Sequence, residues 1–324
     1  MSLTELHVHV GSAVDPAIMW GIAHTHGIRL PTKDYWEFRD LITAHNGRVK
    51  TFEDYLQLFY WTELIQSSPL AIERSVYEII GGAYRKNNIT TLELRFNPMK
   101  RNRGGERDLD HIIAAALRGM DRAGLEYPIR TGLVLCMDKA FSYTMNEIIV
   151  KKAILHRERG IVGIDIAGPE DPDFSFGQYA ALAALAREAG LGVTVHAGES
   201  GTLAQMREAV LTLRPSRVGH GIKAADDPET VDLLREQDIV LEICPTSNLR
   251  TGVVSDLAEL GRVLRTFKER GVKFCINTDG PEMLGTTLRR ELILLLSRGV
   301  LSLDDVVYGN ECARAASFVR PPAP

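Results

Sequence analysis

Four short segments place histidines and acids at spacings that can do chemistry: His7-Val8-His9, His196-Ala197-Gly198-Glu199, Gly219-His220-Gly221 and Asn277-Thr278-Asp279. Residues i and i+2 of a strand point the same way. The His7 and His9 imidazoles can therefore converge as half of a metal site; the ordinary alternative is two polar residues at a strand end. Two small residues follow His196 and let the backbone pass close to a ligand. Glu199 then adds a carboxylate, unless it only complements a helix dipole. His220, held between glycines, is expected on an exposed, flexible turn. Asp279 precedes Gly280-Pro281; it is either a ligand or water acceptor, or a turn residue. If the segments meet in one pocket, three imidazoles and one carboxylate suit Zn²⁺ with a position left for water. Zinc brings the pKa of such a water to about 7, giving hydroxide at neutral pH.

What would bring them together is a barrel. Eight short β-rich runs recur at 4–10, 91–96, 130–136, 162–167, 192–196, 217–220, 239–243 and 273–277, and the four segments lie at the ends of the first, fifth, sixth and eighth. Amphipathic stretches such as 179–189 and 255–270 separate them, with Gly190 and Gly271 where helix C-caps belong. Strand–helix alternation implies parallel strands and right-handed crossovers. Eight such units predict a (β/α)8 TIM barrel whose C-terminal strand ends share one face. The runner-up is a doubly wound open sheet, but no Gly-x-Gly-x-x-Gly turn follows the first strand. The chain reads as a single domain over 1–324 with a helical insertion at about 12–90, where helices are expected at 16–26, 51–66 and 71–85. An insertion there lies on the catalytic face and can act as a lid. Phe52, Tyr55, Leu56 and Phe59 share one helical face; they are either an apolar cover for a ligand or an ordinary core stripe.

Composition narrows the partners. With 45% hydrophobic and 25% charged residues, the 324-residue chain is expected to be globular. A net charge of −4 offers no basic surplus for nucleic acid. No apolar run approaches the roughly 18 residues of a membrane span, and the first ten residues carry no secretory pattern. Four scattered cysteines read as reduced, buried thiols of a cytoplasmic protein. His24, His26, His45, His111 and His156 fit no motif and are expected at the surface, and the tail 320–324 is expected to fray. The sequence carries no signal for oligomeric state.

Taken in order, Glu5-Leu-His-Val-His9, Leu92-Glu-Leu-Arg-Phe96 with Pro98, Asp165-Ile-Ala-Gly168, His196-Ala-Gly-Glu199, Gly219-His-Gly221, Cys244-Pro-Thr-Ser-Asn248 and Asn277-Thr-Asp279 span almost the whole chain. In this set the sequence resembles the adenosine deaminase family of metal-dependent amidohydrolases. The resemblance implies one zinc ion per chain on His7, His9, His196 and Asp279. It implies that Glu199 gives a proton to purine N1, that His220 orients or deprotonates the attacking water with help from Asp279, and that the Gly168 amide meets the purine edge. The substrate would be a small 6-aminopurine compound that loses ammonia and becomes a 6-oxopurine. Strand four ends Ile164-Asp-Ile-Ala-Gly168 without the lysine that bridges two metals in other members of the superfamily, so one metal is expected. The Pro-Cys-x-x-Cys signature of cytidine deaminases is also missing.

Several substrate contacts depart from the family pattern. The aspartate that usually holds the ribose 5′-hydroxyl is absent, because Gly11 and Ser12 follow the second metal histidine. Gly280 stands where a purine N7 aspartate is usual, so Glu282 is expected to reach back, or the purine is held differently. The usual arginine after strand three is replaced by Asp138. A site that has lost its hydroxyl acceptor changes its preference at that position. A 5′-modified nucleoside such as aminodeoxyfutalosine, with its benzoate arm, is therefore the expected substrate. The Lys100-Arg101-Asn102-Arg103 loop either meets that carboxylate or is merely solvated. Plain adenosine or adenine deamination, another mononuclear amidohydrolase reaction, and nucleoside binding without catalysis are the alternatives. Glu199 discriminates the second of these and ammonia release the third.

Overall fold

The β-branched runs form strands, and the strands close on each other. The computed structural model describes residues 1–319 other than 45, 46, 48, 104, 170 and 172; His45 and the tail 320–324 lie outside the described residues. The strands are β1 (Leu3–His9), β2 (Ile89–Phe96), β3 (Arg130–Asp138), β4 (Ile161–Ala167), β5 (Gly192–Ala197), β6 (Arg217–His220), β7 (Val240–Ile243) and β8 (Lys273–Ile276). They pair in parallel in sequence order as one eight-stranded sheet. Closure falls just past β8, where the Asp279 amide donates to His7 O and the His9 amide to Asp279 O, each at 2.9 Å. The (β/α)8 barrel is thus present, and closure itself carries Asp279 to β1.

Four helices intervene between β1 and β2: α1 (Pro16–Thr25), α2 (Tyr35–Ile42), α3 (Phe52–Ile65) and α4 (Pro69–Asn87). The sequence marks out α1, α3 and α4; α2 escapes its periodicity because only Phe38 and Ile42 of its eight residues are buried. Thr51 opens α3 with a capping box closed by Asp54, satisfying amides that a helix start leaves unbonded. The remaining helices are α5 (Leu109–Glu126), α6 (Tyr143–Leu155), α7 (Ala180–Glu188), α8 (Leu203–Leu213), α9 (Pro228–Glu236), α10 (Pro245–Arg250), α11 (Leu257–Glu269), α12 (Pro281–Leu284), α13 (Leu288–Ser297) and α14 (Leu303–Ala316). Most of the apolar core lies between strands and helices. On α11, for instance, Leu260, Val263, Leu264 and Phe267 are buried at i, i+3, i+4 and i+7. Gly190 and Gly271 follow their helices with φ of 82° and 74°, as C-cap glycines do.

The barrel's lower end is plugged by residues after α14. The Phe318 amide and the Ser317 hydroxyl both donate to Glu93, at 2.5 and 2.8 Å, and the Arg217 guanidinium stacks over the Phe318 ring at 3.6 Å. All four cysteines are free and buried. Among the described residues, no helix is long and apolar enough to cross a membrane.

Candidate active site

At the C-terminal end of the barrel the four segments meet. His9 Nε2 lies 3.1 Å from His196 Nε2, and Asp279 Oδ1 is 3.4 Å from His9 Nε2 and 3.9 Å from His7 Nε2. The ring nitrogens of His7, His9 and His196 fall within 4.8 Å of one another. His7 Nε2 is buried without a hydrogen-bond partner, an arrangement that costs free energy unless something binds there. The far side of each ring is held by a carboxylate or left to the pocket wall. His7 Nδ1 meets Glu242 at 2.7 Å and His196 Nδ1 meets Asp165 at 3.0 Å, so each Nδ1 keeps its proton and each Nε2 turns its lone pair inward. Three inward imidazole nitrogens, an acidic oxygen and an orphaned buried nitrogen fit a single divalent cation.

The electrostatics agree with neutral ligands. Burial, reinforced by the Arg95 charge, holds His7 well below the usual imidazole range. Burial and the neighbouring His196 do the same to His9. Burial would raise the Glu242 carboxyl, but Arg95 and Arg217 overcome it and hold the group down at about 2. Burial would likewise raise Asp165; the neighbouring His196 and then the Arg95 charge keep it well below its usual value.

His220 does not sit on an exposed turn. It is 1% exposed, because it is the last residue of β6 inside the barrel and the Asn248 amide donates to its Nδ1 at 3.0 Å. Its Nε2 faces Glu199 Oε2 at 3.5 Å. His220 and Asp279 both hold left-handed backbone, with φ of 63° and 61°. Such strain persists only where the surroundings over-determine it, and it gathers at functional sites. Ser247 adds a hydroxyl donor to Asp279 Oδ2 at 2.7 Å.

Above these groups is a cavity of about 360 Å³, lined on one side by Phe52, Tyr55, Leu56 and Phe59 of α3 and on another by Gly168. The α3 stripe does both: it lines the cavity, and Tyr55, with Phe59 against it, shares an apolar cluster with Leu58, Met283 and Leu284. Two expectations need correcting. Glu282 does not reach into this cavity: α12 turns its carboxylate toward Lys86, 2.7 Å away, and it lines a separate cleft behind β1. Gly280 is not a cavity-lining residue either; a Cβ there would come within 2.5 Å of the Tyr55 hydroxyl and 2.9 Å of Ser12. The basic loop is not simply solvated. Lys100, Arg101 and Arg103 all line the cavity, Arg101 being 2% exposed. Lys100 pairs with Asp138 at 2.5 Å and Arg101 with Glu63 at 3.1 Å. A Cβ on Gly11 would meet Arg101 Nη2 at 3.1 Å and the Phe59 ring at 2.8 Å, so the missing side chain is what admits that guanidinium. Of the other histidines, His24 and His111 are exposed and His26 is half-buried; His156 is largely buried against Asp110 at 2.9 Å.

Sequence reasoning missed Glu242 and Arg95. The one signal for Arg95 is the alternation Leu92-Glu-Leu-Arg-Phe96, which places Glu93 and Arg95 on one strand face; Glu242 stands alone among the apolar residues of β7.

The adenosine deaminase family model matches residues 2–307. An adenosine deaminase of Enterococcus faecalis is 33% identical over 98% of this chain and 92% of its own length. One of Vibrio vulnificus is 30% identical over 89% and 85%. The chain belongs to the adenosine deaminase family. As a member of this metal-dependent family it is a hydrolytic deaminase. Two solved structures share the fold, each with a TM-score of 0.87: the adenine deaminase of Arthrobacter aurescens, at 22% identity over 98% of this chain and 94% of that one, and a Burkholderia ambifaria amidohydrolase with bound Zn, at 23% identity over 99% and 86%.

Proposed function

We propose that this deaminase hydrolyses the 6-amino group of a purine nucleoside carrying an anionic 5′ arm, with one zinc ion held by His7, His9, His196 and Asp279. The observation that carries the reading is the pairing of Glu199 with His220 at 3.5 Å beside that donor set, on the floor of a covered cavity. When bound, zinc supplies a water acidified toward neutral pKa. His220 would orient an attacking water and take its proton as the oxygen adds to C6, with Asp279 assisting. Glu199 protonates N1, which accepts the electron pair displaced from the ring. The proton taken by His220 passes to the departing nitrogen as the C6–N bond breaks, ammonia leaves, and the hydroxyl proton returns to Glu199 as the 6-oxopurine forms. The Gly168 amide holds the purine edge, and Phe52, Tyr55 and Phe59 exclude bulk water.

The 5′ preference is supported by Gly11 and Arg101. No carboxylate stands at position 11, and a guanidinium fills the space. Arginine meets a carboxylate or phosphate in a planar fork. Aminodeoxyfutalosine, with its benzoate arm, is the compound we assign. The test is a set of ammonia-release rates for the zinc-loaded protein on adenosine, adenine, methylthioadenosine and aminodeoxyfutalosine. The reading expects aminodeoxyfutalosine to be fastest. A clear preference for plain adenosine, the substrate in the Enterococcus relative's name, would overturn the 5′ assignment.

A further inference from the structure

Beneath the histidines, five charged side chains with no solvent exposure run through the barrel interior: Asp165, Arg95, Glu242, Arg217 and Glu93. Arg95 Nη1 donates to Asp165 Oδ2 at 2.9 Å and its Nη2 to Glu242 Oε2 at 2.8 Å. Nη2 also donates to the Leu6 carbonyl at 2.6 Å, on the strand that carries His7. Both carboxylates that Arg95 grips also hold the imidazoles: Glu242 through the same Oε2, which meets His7 Nδ1 at 2.7 Å, and Asp165 with both oxygens near His196 Nδ1, Oδ1 at 3.1 Å and Oδ2 at 3.0 Å. Arg217 grips Glu242 differently, through Oε1 at 2.5 Å, an oxygen shared with the Thr194 hydroxyl.

We propose that Arg95 is a positioning residue for the metal centre: one guanidinium fork sets both carboxylates that aim His7 and His196. Burying charges is a poor route to stability, since apolar replacements of buried ion pairs are often neutral or better. Outer carboxylates, by contrast, orient ligand imidazoles and raise their basicity, and their loss weakens metal binding ten- to a hundredfold. A carboxylate performs that task only if it is itself fixed. Arginine spans two carboxylates at set angles, which lysine, a point charge on a flexible stem, does not. Arg95 therefore couples the orientation of two ligands that lie on different strands.

Arg95→Lys separates positioning from charge balance, because it keeps a cation in the barrel but loses the fork. The proposal rests on His7 and His196 being ligands. His7→Ala checks that separately: an Ala variant that binds zinc as tightly as the parent overturns the metal reading, whatever Arg95 does. Zinc dissociation constants by chelator competition and the visible spectrum of the cobalt-loaded protein are the readouts. Circular dichroism and a cooperative melt establish folding. Folded Arg95→Lys is expected to bind zinc ten- to a hundredfold more weakly with an altered cobalt spectrum, while Arg217→Lys changes affinity less than about threefold. Unchanged affinity and spectrum in Arg95→Lys would overturn the proposal. So would an equal loss in Arg217→Lys, which would make the effect one of charge balance. Failure of Arg95→Lys to fold would overturn it as well, by making Arg95 a requirement of the barrel itself.

Discussion

Glu199 and Gly11 carry the sharpest residue-level consequences. Glu199→Gln keeps size and hydrogen bonding but has no acid proton to give. Its turnover should fall about 10²–10⁴-fold, the usual weight of general acid catalysis, while zinc content by elemental analysis stays at the parent level. Zinc loss in parallel with activity would instead make Glu199 part of the metal site. Gly11→Asp puts a carboxylate beside the Arg101 guanidinium, 3.1 Å from the new Cβ, and the two should pair. The ratio of kcat/KM for aminodeoxyfutalosine over adenosine should fall at least tenfold; an unmoved ratio would remove Arg101 from recognition of the arm. The residues that meet at the C-terminal end of the barrel were readable from the sequence because histidines and acids recur at strand ends, with glycine beside Glu199, His220 and Asp279. Arg95 and Glu242 were not, because a polar residue in the middle of a strand looks the same facing solvent or facing the barrel axis. His220 misled for the opposite reason: flanking glycines suggest exposure, yet its place at the inner end of β6 and its bond from Asn248 bury it.

At the scale of elements, α3 both lines the cavity and packs as structural support. Its start depends on Thr51, whose hydroxyl accepts from the Asp54 amide while Asp54 returns a bond to Thr51. Thr51→Ala should cost about 1 kcal/mol, read as a lower midpoint in denaturant titration. Because Phe52 and Tyr55 lie in the first turn and line the cavity, KM should rise as well. A stability loss with KM unchanged would show that the lid closes without its cap. The strands and most insertion helices followed from hydrophobic period and caps. The destination of Glu282 did not, since the four-residue α12 turns it outward to Lys86, a partner 196 residues away that no local pattern announces.

For the molecule as a whole, the donor set joins β1, β5 and the turn after β8, so a bound ion ties distant parts of the barrel. Chelation should lower the melting temperature and zinc should restore it. A free zinc level a hundredfold above Kd corresponds to about 2.7 kcal/mol, and coincident melts with and without chelator would exclude a structural contribution from the ion. Phe318→Ala should cost about 2 kcal/mol from lost apolar burial and lost stacking with Arg217, measured by the same melts. The barrel was legible because eight units of one period recur. The plug was not, since its partners are Gly163, Gly192 and Arg217, far away in sequence.

Barrel closure also bears on how the protein is made. Glu5 accepts a bond from the Thr278 amide across 273 residues, and Glu93 one from Phe318 across 225. A chain emerging from the ribosome at about 5–20 residues per second therefore holds His7 and His9 for many seconds before Asp279 exists to join them. With the proposed donor set, metal loading would be a late event on an assembled barrel, and the cation taken up would be set by what the cell offers after synthesis, not by what the nascent chain first encounters.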